Sequence, residues 1–205
     1  MNDPTNKLFW QKIARLYAPF MKGSATLYDE IVRYCLPYLT TDMDILELAC
    51  GTGQLTFRLA SCVRHWEATD FSEKMITEAK KYSTLPNISF AVQDATALPY
   101  ADGSFNAVLI ANALHIMPVP EKALSEIHRV LKRDGILLAP TFIWGSDVRQ
   151  RARESLMTLT GFKVLHHWNA DTLAEYVQQQ SFSVLEQNVL GGSISPLCCL
   201  IAQKA

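Results

Sequence analysis

The stretch from Asp44 to Gln54, DILELACGTGQ, constrains the fold of this chain more than any other. Residues 45–48 are an apolar run, interrupted by one acid, that is typical of a buried parallel strand. Small residues follow at 49–53, and apolar residues then recur at helical spacing over 55–60. The stretch therefore predicts a strand, a tight glycine turn and a helix. Such a turn either serves the structure alone or lets the backbone and the helix N-terminus approach a nucleotide-type ligand.

Two carboxylates decide which ligand the turn would suit. A dinucleotide site usually follows G-x-G-x-x-G, but Thr56 stands where the third glycine would be. Glu47 comes directly before the turn, where its charge disfavours a pyrophosphate and favours a positive amino group. Asp70 ends the next predicted strand, 17 residues after Gly53, where it can accept hydrogen bonds from ribose hydroxyls. The alternative, that Asp70 caps the next helix, is less favoured because Ser72 is better placed for that role.

Composition limits the classes of function. The 205 residues carry 19 Lys and Arg against 20 Asp and Glu, a net charge of −1, so no basic surface exists for nucleic acid phosphates. Five cysteines show no C-x-x-C pair and no metal-ligand spacing, which is typical of reduced thiols in a cytosolic protein. No signal segment begins the chain, and no apolar run approaches the ~18 residues of a membrane span. We expect a cytoplasmic protein with no metal, no membrane span and no nucleic acid partner.

The order of the predicted elements indicates an α/β fold. Helical segments over 7–39 precede the first strand, strands and helices then alternate, and a further helix is expected over about 147–159. This alternation predicts a doubly wound, mostly parallel, Rossmann-like sheet with helices on both faces. We therefore expect a single domain over 1–205, with an N-terminal helical lid over 1–41 and the Rossmann-like core over 42–205.

Local signals predict the boundaries of the later elements. Pro120 opens a helix that Gly135 ends. Either Asp171 or Thr172 caps another helix, and the strands within 182–202 form a C-terminal hairpin.

Polar residues stand at or next to the carboxyl ends of four predicted strands. These residues are Glu47, Asp70, Asp94 and Asn112. Ligands of doubly wound sheets bind beyond the carboxyl ends of the strands, where the strand order reverses. Chance would supply one or two such groups, so four of them predict a ligand site.

Together these motifs resemble the class I S-adenosylmethionine-dependent methyltransferases, in particular the small-molecule branch of ubiquinone and menaquinone biosynthesis. The resemblance runs from about residue 42 to 142, with the family's order and spacing, and its motifs are Leu46–Gly53, Thr69–Ser72, Gln93–Ala95, Leu98-Pro99, Asp102–Phe105, Ala113–His115, Arg129–Lys132 and Gly135. It implies S-adenosylmethionine as the cofactor. It also implies seven strands, with an antiparallel C-terminal strand inserted beside the fifth.

The resemblance further implies roles at the methionine end of the cofactor. Glu47 and the backbone around Ala49 and Gly51 would hold the amino group, with Gly53 completing the turn. Asn112 would lie near the same end. Ala49 departs from the family, because many relatives have glycine there.

At the nucleoside end, the resemblance implies that Asp70 binds the ribose hydroxyls. Phe71 and Met75 would pack on the adenine. Asp94 would accept a hydrogen bond from the adenine amino group, and the Ala95 N–H would meet a ring nitrogen.

The methyl acceptor leaves a weaker signature. In-line transfer to nitrogen or sulfur needs little help, whereas oxygen or carbon usually needs a general base. The candidates are His115 and Tyr17, with His166 and His167 less favoured; His115 has the alternative of a hydrogen-bonded loop or core histidine.

We expect a small, hydrophobic or aromatic acceptor and a monomer or homodimer. Two other functions stay open: a nicotinamide-dependent oxidoreductase on a similar sheet, and a non-catalytic S-adenosylmethionine-binding module.

Overall fold

The computed structural model describes most of the chain, namely residues 9–14, 25–144, 163–191 and 196–205. Candidate base Tyr17 and the helix expected over 147–159 lie outside these residues.

A seven-stranded sheet forms the centre of the molecule, with the order β3-β2-β1-β4-β5-β7-β6. Its strands are β1 Asp44–Leu48, β2 His65–Asp70, β3 Ile88–Val92, β4 Phe105–Ile110, β5 Leu131–Phe142, β6 Phe182–Leu190 and β7 Leu197–Lys204. The first five strands pair in parallel, and β7 pairs antiparallel with both β5 and β6. This confirms the doubly wound sheet and the antiparallel strand inserted beside the fifth.

Helices cover both faces of this sheet. They are α1 Ala25–Cys35, α2 Thr56–Leu59, α3 Glu73–Lys80, α4 Pro120–Val130 and α5 Ala170–Gln178, with short 3₁₀ turns at Leu36–Tyr38, Ala60–Cys62 and Leu114–Ile116. Residues 9–14 are helical as well. In the described part of the chain, no helix is long and apolar enough to cross a bilayer.

Two apolar layers hold the helices against the sheet. Successive strand residues face opposite sides, so Leu46 and Leu48 of β1 join one layer and Ile45 joins the other. The first layer contains Ile127 of α4, and the second contains Ile31 of α1.

Helix α4 ends at Val130, so the expectation that Gly135 terminates it is wrong. Leu131 already begins β5, and Asp134 then takes a left-handed conformation with φ of +60°. A Cβ at Gly135 would lie 2.9 Å from the Lys132 carbonyl oxygen. The glycine is therefore needed by the irregular start of the strand, not by the end of the helix.

Helix α5 has Asn169 as its N-cap, so the prediction of Asp171 or Thr172 is wrong. The Asn169 side chain accepts a hydrogen bond from the Thr172 N–H at 2.8 Å, and the Thr172 hydroxyl accepts one from the Asn169 N–H at 3.0 Å. This is a capping box in which threonine takes the place of the usual Glu or Gln. The hairpin prediction is confirmed by the antiparallel pairing of β6 and β7.

We expect Asn169→Ala to lower the free energy of unfolding by about 1 kcal/mol, because it leaves the Thr172 N–H at the start of α5 without its acceptor. Urea denaturation measures the loss. Asp171→Asn is the matched control, since it changes a neighbouring acid and leaves the capping box in place. Equal losses for the two variants would contradict the assignment of Asn169 as the cap.

Candidate active site

A cleft opens at the carboxyl edge of the sheet, where the strand order reverses between β1 and β4. Its empty volume is about 990 Å³, including the part open to solvent. Four successive loops contribute to its lining: residues 47–51 and 54–55 around the end of β1, 69–72 after β2, 93 and 95 after β3, and 111–113 after β4. This is the edge at which the sequence predicted a ligand site.

The turn after β1 has an unusual backbone. Ala49, Gly51 and Gly53 all have positive φ, of +55°, +56° and +85°. A Cβ at Gly53 would lie 2.4 Å from the Phe57 ring, so a side chain at this position would force the ring to move and would also strain the backbone. Ala49 carries the conformation at the cost of some strain, since left-handed φ disfavours a Cβ. Gly53 shapes the turn from behind and is not among the residues that line the cleft.

The Asp70 carboxylate joins this turn to the next one. One oxygen accepts a hydrogen bond from the Gly51 N–H at 2.9 Å, and the other accepts one from the Ser72 N–H at 2.8 Å. Burial raises the pKa of Asp70 to about 6, although both N–H donors oppose the shift. Ser72 is the N-cap of α3, as the sequence predicted, and accepts from the Met75 N–H.

Glu47 is held inside the protein beneath the turn. It is 2% exposed, and one of its carboxylate oxygens accepts hydrogen bonds from the Thr56 hydroxyl at 2.5 Å and the Trp66 indole N–H at 2.8 Å. Burial raises the pKa of Glu47 to about 7, and the nearby charge of Asp70 acts in the same direction. Glu47 therefore lines the cleft as an anchored acid close to its titration point at neutral pH.

Only some of the residues predicted to hold the nucleoside line the cleft. Phe71, Met75 and Ala95 line it, and Met75 is buried. Asp94 does not line it; one of its oxygens accepts from the Thr96 N–H at 2.9 Å and from the Thr96 hydroxyl at 2.7 Å. The role of Asp94 towards adenine stays a prediction.

Asn112 has two features that are common at ligand-binding positions, a left-handed backbone and a polar side-chain atom without a partner. Its φ is +53°, and its N–H donates to the Pro140 carbonyl at 2.8 Å. Its side-chain oxygen is buried without a hydrogen-bond partner, in a residue that lines the cleft. Buried polar atoms normally find a partner, so a ligand that donates a hydrogen bond here fits the site.

His115 lies behind the cleft and does not line it. Its ring is 2% exposed and contacts Phe142 and Trp144, with centroid distances of 6.1 and 5.3 Å. Burial and the neighbouring His166 and His167 lower the pKa of His115 to about 3, and its Nδ1 has no hydrogen-bond partner. A neutral ring with this pKa is a weak base, so the catalytic role of His115 stays a prediction.

Two aromatic residues that sequence reasoning missed complete the cleft. Trp10 and Tyr28, from the helical segments before β1, line the same space as the glycine turn. Ile116 and Met117 contribute apolar surface after β4. The sequence shows that the expected lid contains several aromatic residues. Which of them reach the cleft depends on how the lid packs, and the sequence does not show this. Within the described ranges, no cluster of three or more metal-ligating side chains occurs.

The comparisons with known proteins agree with this geometry. Residues 45–135 match a family model described as a methyltransferase domain. This part of the chain is similar to methyltransferase domains.

The chain also has similar relatives among curated proteins. Demethylmenaquinone methyltransferase from Renibacterium salmoninarum is 41% identical over 98 residues, 48% of this chain and 40% of that protein. A ubiquinone/menaquinone biosynthesis C-methyltransferase from Bartonella bacilliformis is 30% identical over 144 residues, 67% of this chain and 54% of that protein. The chain thus spans about half the length of the curated relatives it matches.

Solved methyltransferase structures share the fold of this chain. A putative methyltransferase from Bacillus halodurans is 15% identical, with a TM-score of 0.74 over 86% of this chain and 98% of that one. Magnesium protoporphyrin IX methyltransferase from Synechocystis, solved with bound SAH, is 18% identical, with a TM-score of 0.69 over 89% of this chain and 84% of that one. The resemblance to class I S-adenosylmethionine-dependent methyltransferases is confirmed, and S-adenosylmethionine is the cofactor of this family.

The two raised pKa values predict how stability depends on pH. Glu47 and Asp70 titrate at about 7 and 6 in the folded protein, above their ordinary values of 4.5 and 3.8. The folded state therefore binds more protons than the unfolded state between about pH 4 and 7, so these groups make the free energy of unfolding fall as pH rises through that range.

We expect Glu47→Gln to reduce the fall in the free energy of unfolding with rising pH, which urea denaturation at pH 4 to 8 would measure. Exposed Glu73 of α3 offers a control, Glu73→Gln, that should keep the wild-type slope. An unchanged slope in Glu47→Gln would contradict the buried titration.

Asn112 permits a test that separates backbone strain from ligand binding. Asn112→Gly keeps the left-handed backbone and removes the unpartnered oxygen. We expect it to weaken S-adenosylhomocysteine binding about tenfold, the effect of losing one hydrogen bond to a charged group, with little change in stability. Asn112→Ala should weaken binding similarly and also destabilise the fold by ~1 kcal/mol. Calorimetry and thermal unfolding measure both effects; wild-type affinity in Asn112→Gly would show that the oxygen meets no ligand.

Proposed function

We propose that this chain transfers a methyl group from S-adenosylmethionine to a small acceptor. The observation that carries the proposal is the cleft at the reversal of strand order, where the glycine turn and Asp70 meet within the part of the chain that is similar to methyltransferase domains. The bound cofactor supplies a methyl group activated by its sulfonium charge.

The charges of the cleft suit a cationic cofactor. Its described lining includes the carboxylates of Glu47 and Asp70 and no Lys, Arg or His side chain. A ligand with positive groups offsets the cost of burying these carboxylates, whereas an anionic dinucleotide would add to it.

The nucleoside would be held mainly by Asp70. Each of its oxygens accepts one backbone N–H, and a carboxylate has about four acceptor sites, so two sites are left for ribose hydroxyls. Phe71 and Met75 would pack on the adenine, the Ala95 N–H would meet a ring nitrogen, and Asp94 would accept from the amino group.

The methionine end would be held by Glu47, Asn112 and the backbone at Ala49 and Gly51. One oxygen of Glu47 accepts hydrogen bonds from the Thr56 hydroxyl and the Trp66 indole N–H, and these hold the carboxylate in place. The carboxylate would then attract an amino group near the turn. Asn112 would supply its unpartnered oxygen to the same end.

The acceptor would lie against Trp10, Tyr28, Ile116 and Met117, a largely apolar wall that suits a small hydrophobic or aromatic molecule. The curated relatives act, by their names, in menaquinone and ubiquinone biosynthesis, which supports a quinone-type acceptor. The apolar wall would exclude water while the acceptor is positioned for in-line displacement. His115 or Tyr17 would act as base for an oxygen or carbon acceptor.

Several further expectations remain part of the proposal. They are a single domain, a cytoplasmic location, a monomer or homodimer, and no nucleic acid partner.

Asp70→Ala tests the cofactor site directly. It removes acceptors for two charge-assisted hydrogen bonds, so we expect the affinity for S-adenosylhomocysteine to fall at least about tenfold. Asp42→Ala is the matched control, because Asp42 is exposed and precedes β1 at the opposite edge of the sheet. Isothermal calorimetry measures both, and normal binding by Asp70→Ala would exclude the assignment.

Ligand preference and turnover separate the competing functions. S-adenosylhomocysteine, and not NADH, should raise the midpoint of thermal unfolding. Labelled methyl transfer to a panel of quinone-type and hydroxylated aromatic compounds then identifies the acceptor. Stabilisation by NADH alone would favour the oxidoreductase, and binding without transfer to any acceptor would favour the non-catalytic module.

A further inference from the structure

Arg58 of α2 joins two parts of the chain that both line the cleft. Its Nη1 donates a hydrogen bond to the Gln54 carbonyl oxygen at 2.6 Å, in the turn after β1. Its Nε pairs with Asp29 of α1 at 3.3 Å, and its guanidinium carbon lies 5.6 Å from the centre of the Tyr28 ring. Gln54 and Tyr28 line the cleft, whereas Arg58 stands behind them.

The three contacts differ in importance. Asp29 is 67% exposed, and an ion pair in such a setting contributes little. The Gln54 hydrogen bond and the cation–π contact join partly buried groups, and Tyr28 itself is only 6% exposed. The connection between the turn and α1 therefore depends on Gln54 and Tyr28 more than on Asp29.

An arginine is suited to this position. Its planar group offers five donors in a fixed fork and stacks on aromatic rings, so one side chain can meet a carbonyl, a carboxylate and a ring together. A lysine in this place would keep the charge but could not meet all three partners. The chemistry of the side chain thus matches a connecting role.

We propose that Arg58 is a positioning residue that transmits cofactor binding from the turn to Tyr28, and so sets the wall of the acceptor half of the cleft. The proposal rests on the proposed function. A ligand that orders the turn fixes the Gln54 carbonyl, which fixes Arg58, which fixes the Tyr28 ring and α1. Because such coupling is reciprocal, an acceptor that contacts Tyr28 also strengthens cofactor binding.

Hydrogen–deuterium exchange with S-adenosylhomocysteine as the probe tests this coupling. In the wild type we expect slower exchange both in the turn, residues 49–55, and in α1, Ala25–Cys35. In Arg58→Met the turn should still be protected, but the ligand-induced slowing in α1 should fall by about tenfold, within the range typical of coupled sites. Arg58→Lys should keep part of it.

Matched variants of the partners sharpen the test. Tyr28→Phe keeps the aromatic face and should keep the protection of α1, whereas Tyr28→Leu should lose it. Asp29→Asn should stay close to the wild type, because the exposed ion pair contributes little. The Tyr28 pair decides the question even where Arg58→Met fails to fold.

The outcomes separate this proposal from the proposed function. If S-adenosylhomocysteine slows exchange nowhere in the protein, both the proposed function and the role of Arg58 are contradicted. If it protects the turn but not α1 in the wild type, or if either Arg58→Met or Tyr28→Leu keeps the wild-type protection of α1, only the role of Arg58 is overturned.

Discussion

The cleft depends on one half-buried carboxylate that satisfies backbone groups of two loops. Asp70 accepts a hydrogen bond from the Gly51 N–H and another from the Ser72 N–H, and these loops follow neighbouring parallel strands. Parallel strands bring their carboxyl ends to the same edge, so a single acid can join both loops by accepting one N–H from each. Burial raises its pKa to about 6, and the two donors keep it from rising further. The group that joins the two loops thus also lines the cleft.

Much of the fold could be predicted because its signals are local. The apolar run of β1, the small residues of the turn and the acid that ends β2 are each contiguous in sequence, and the alternation of elements then restricts the topology. The two errors arise where the deciding contact is not a property of composition. Gly135 looks like a helix terminator, but a close approach by the Lys132 carbonyl requires it inside β5. Asn169 caps α5 through Thr172, a pairing that the usual Glu or Gln signature does not include.

The residues proposed to hold the cofactor could be predicted from the sequence, whereas those proposed to contact the acceptor could be predicted only in part. The residues proposed to hold the cofactor stand beside strand ends, so Glu47, Asp70 and Asn112 follow from the strand assignment. Neighbours in sequence can still face different ways: Ala95 lines the cleft whereas Asp94 does not, and Met117 lines it whereas His115 lies behind it. Trp10 and Tyr28, which we propose to contact the acceptor, line the cleft because of the way the N-terminal segments pack over the sheet. A contact of that kind leaves no periodic signal in the sequence.

The titratable residues of the cleft lining limit the proton transfers that can take place there. The titratable side chains in the described lining are Tyr28, Glu47, Cys50 and Asp70. Glu47 is held by interior donors, Asp70 joins two loops, and burial raises the pKa of the Cys50 thiol well above its usual range, so none of these three is poised to take a proton from an acceptor. For the methyl transfer that we propose, this lining would therefore contribute position and the exclusion of water more than proton transfer.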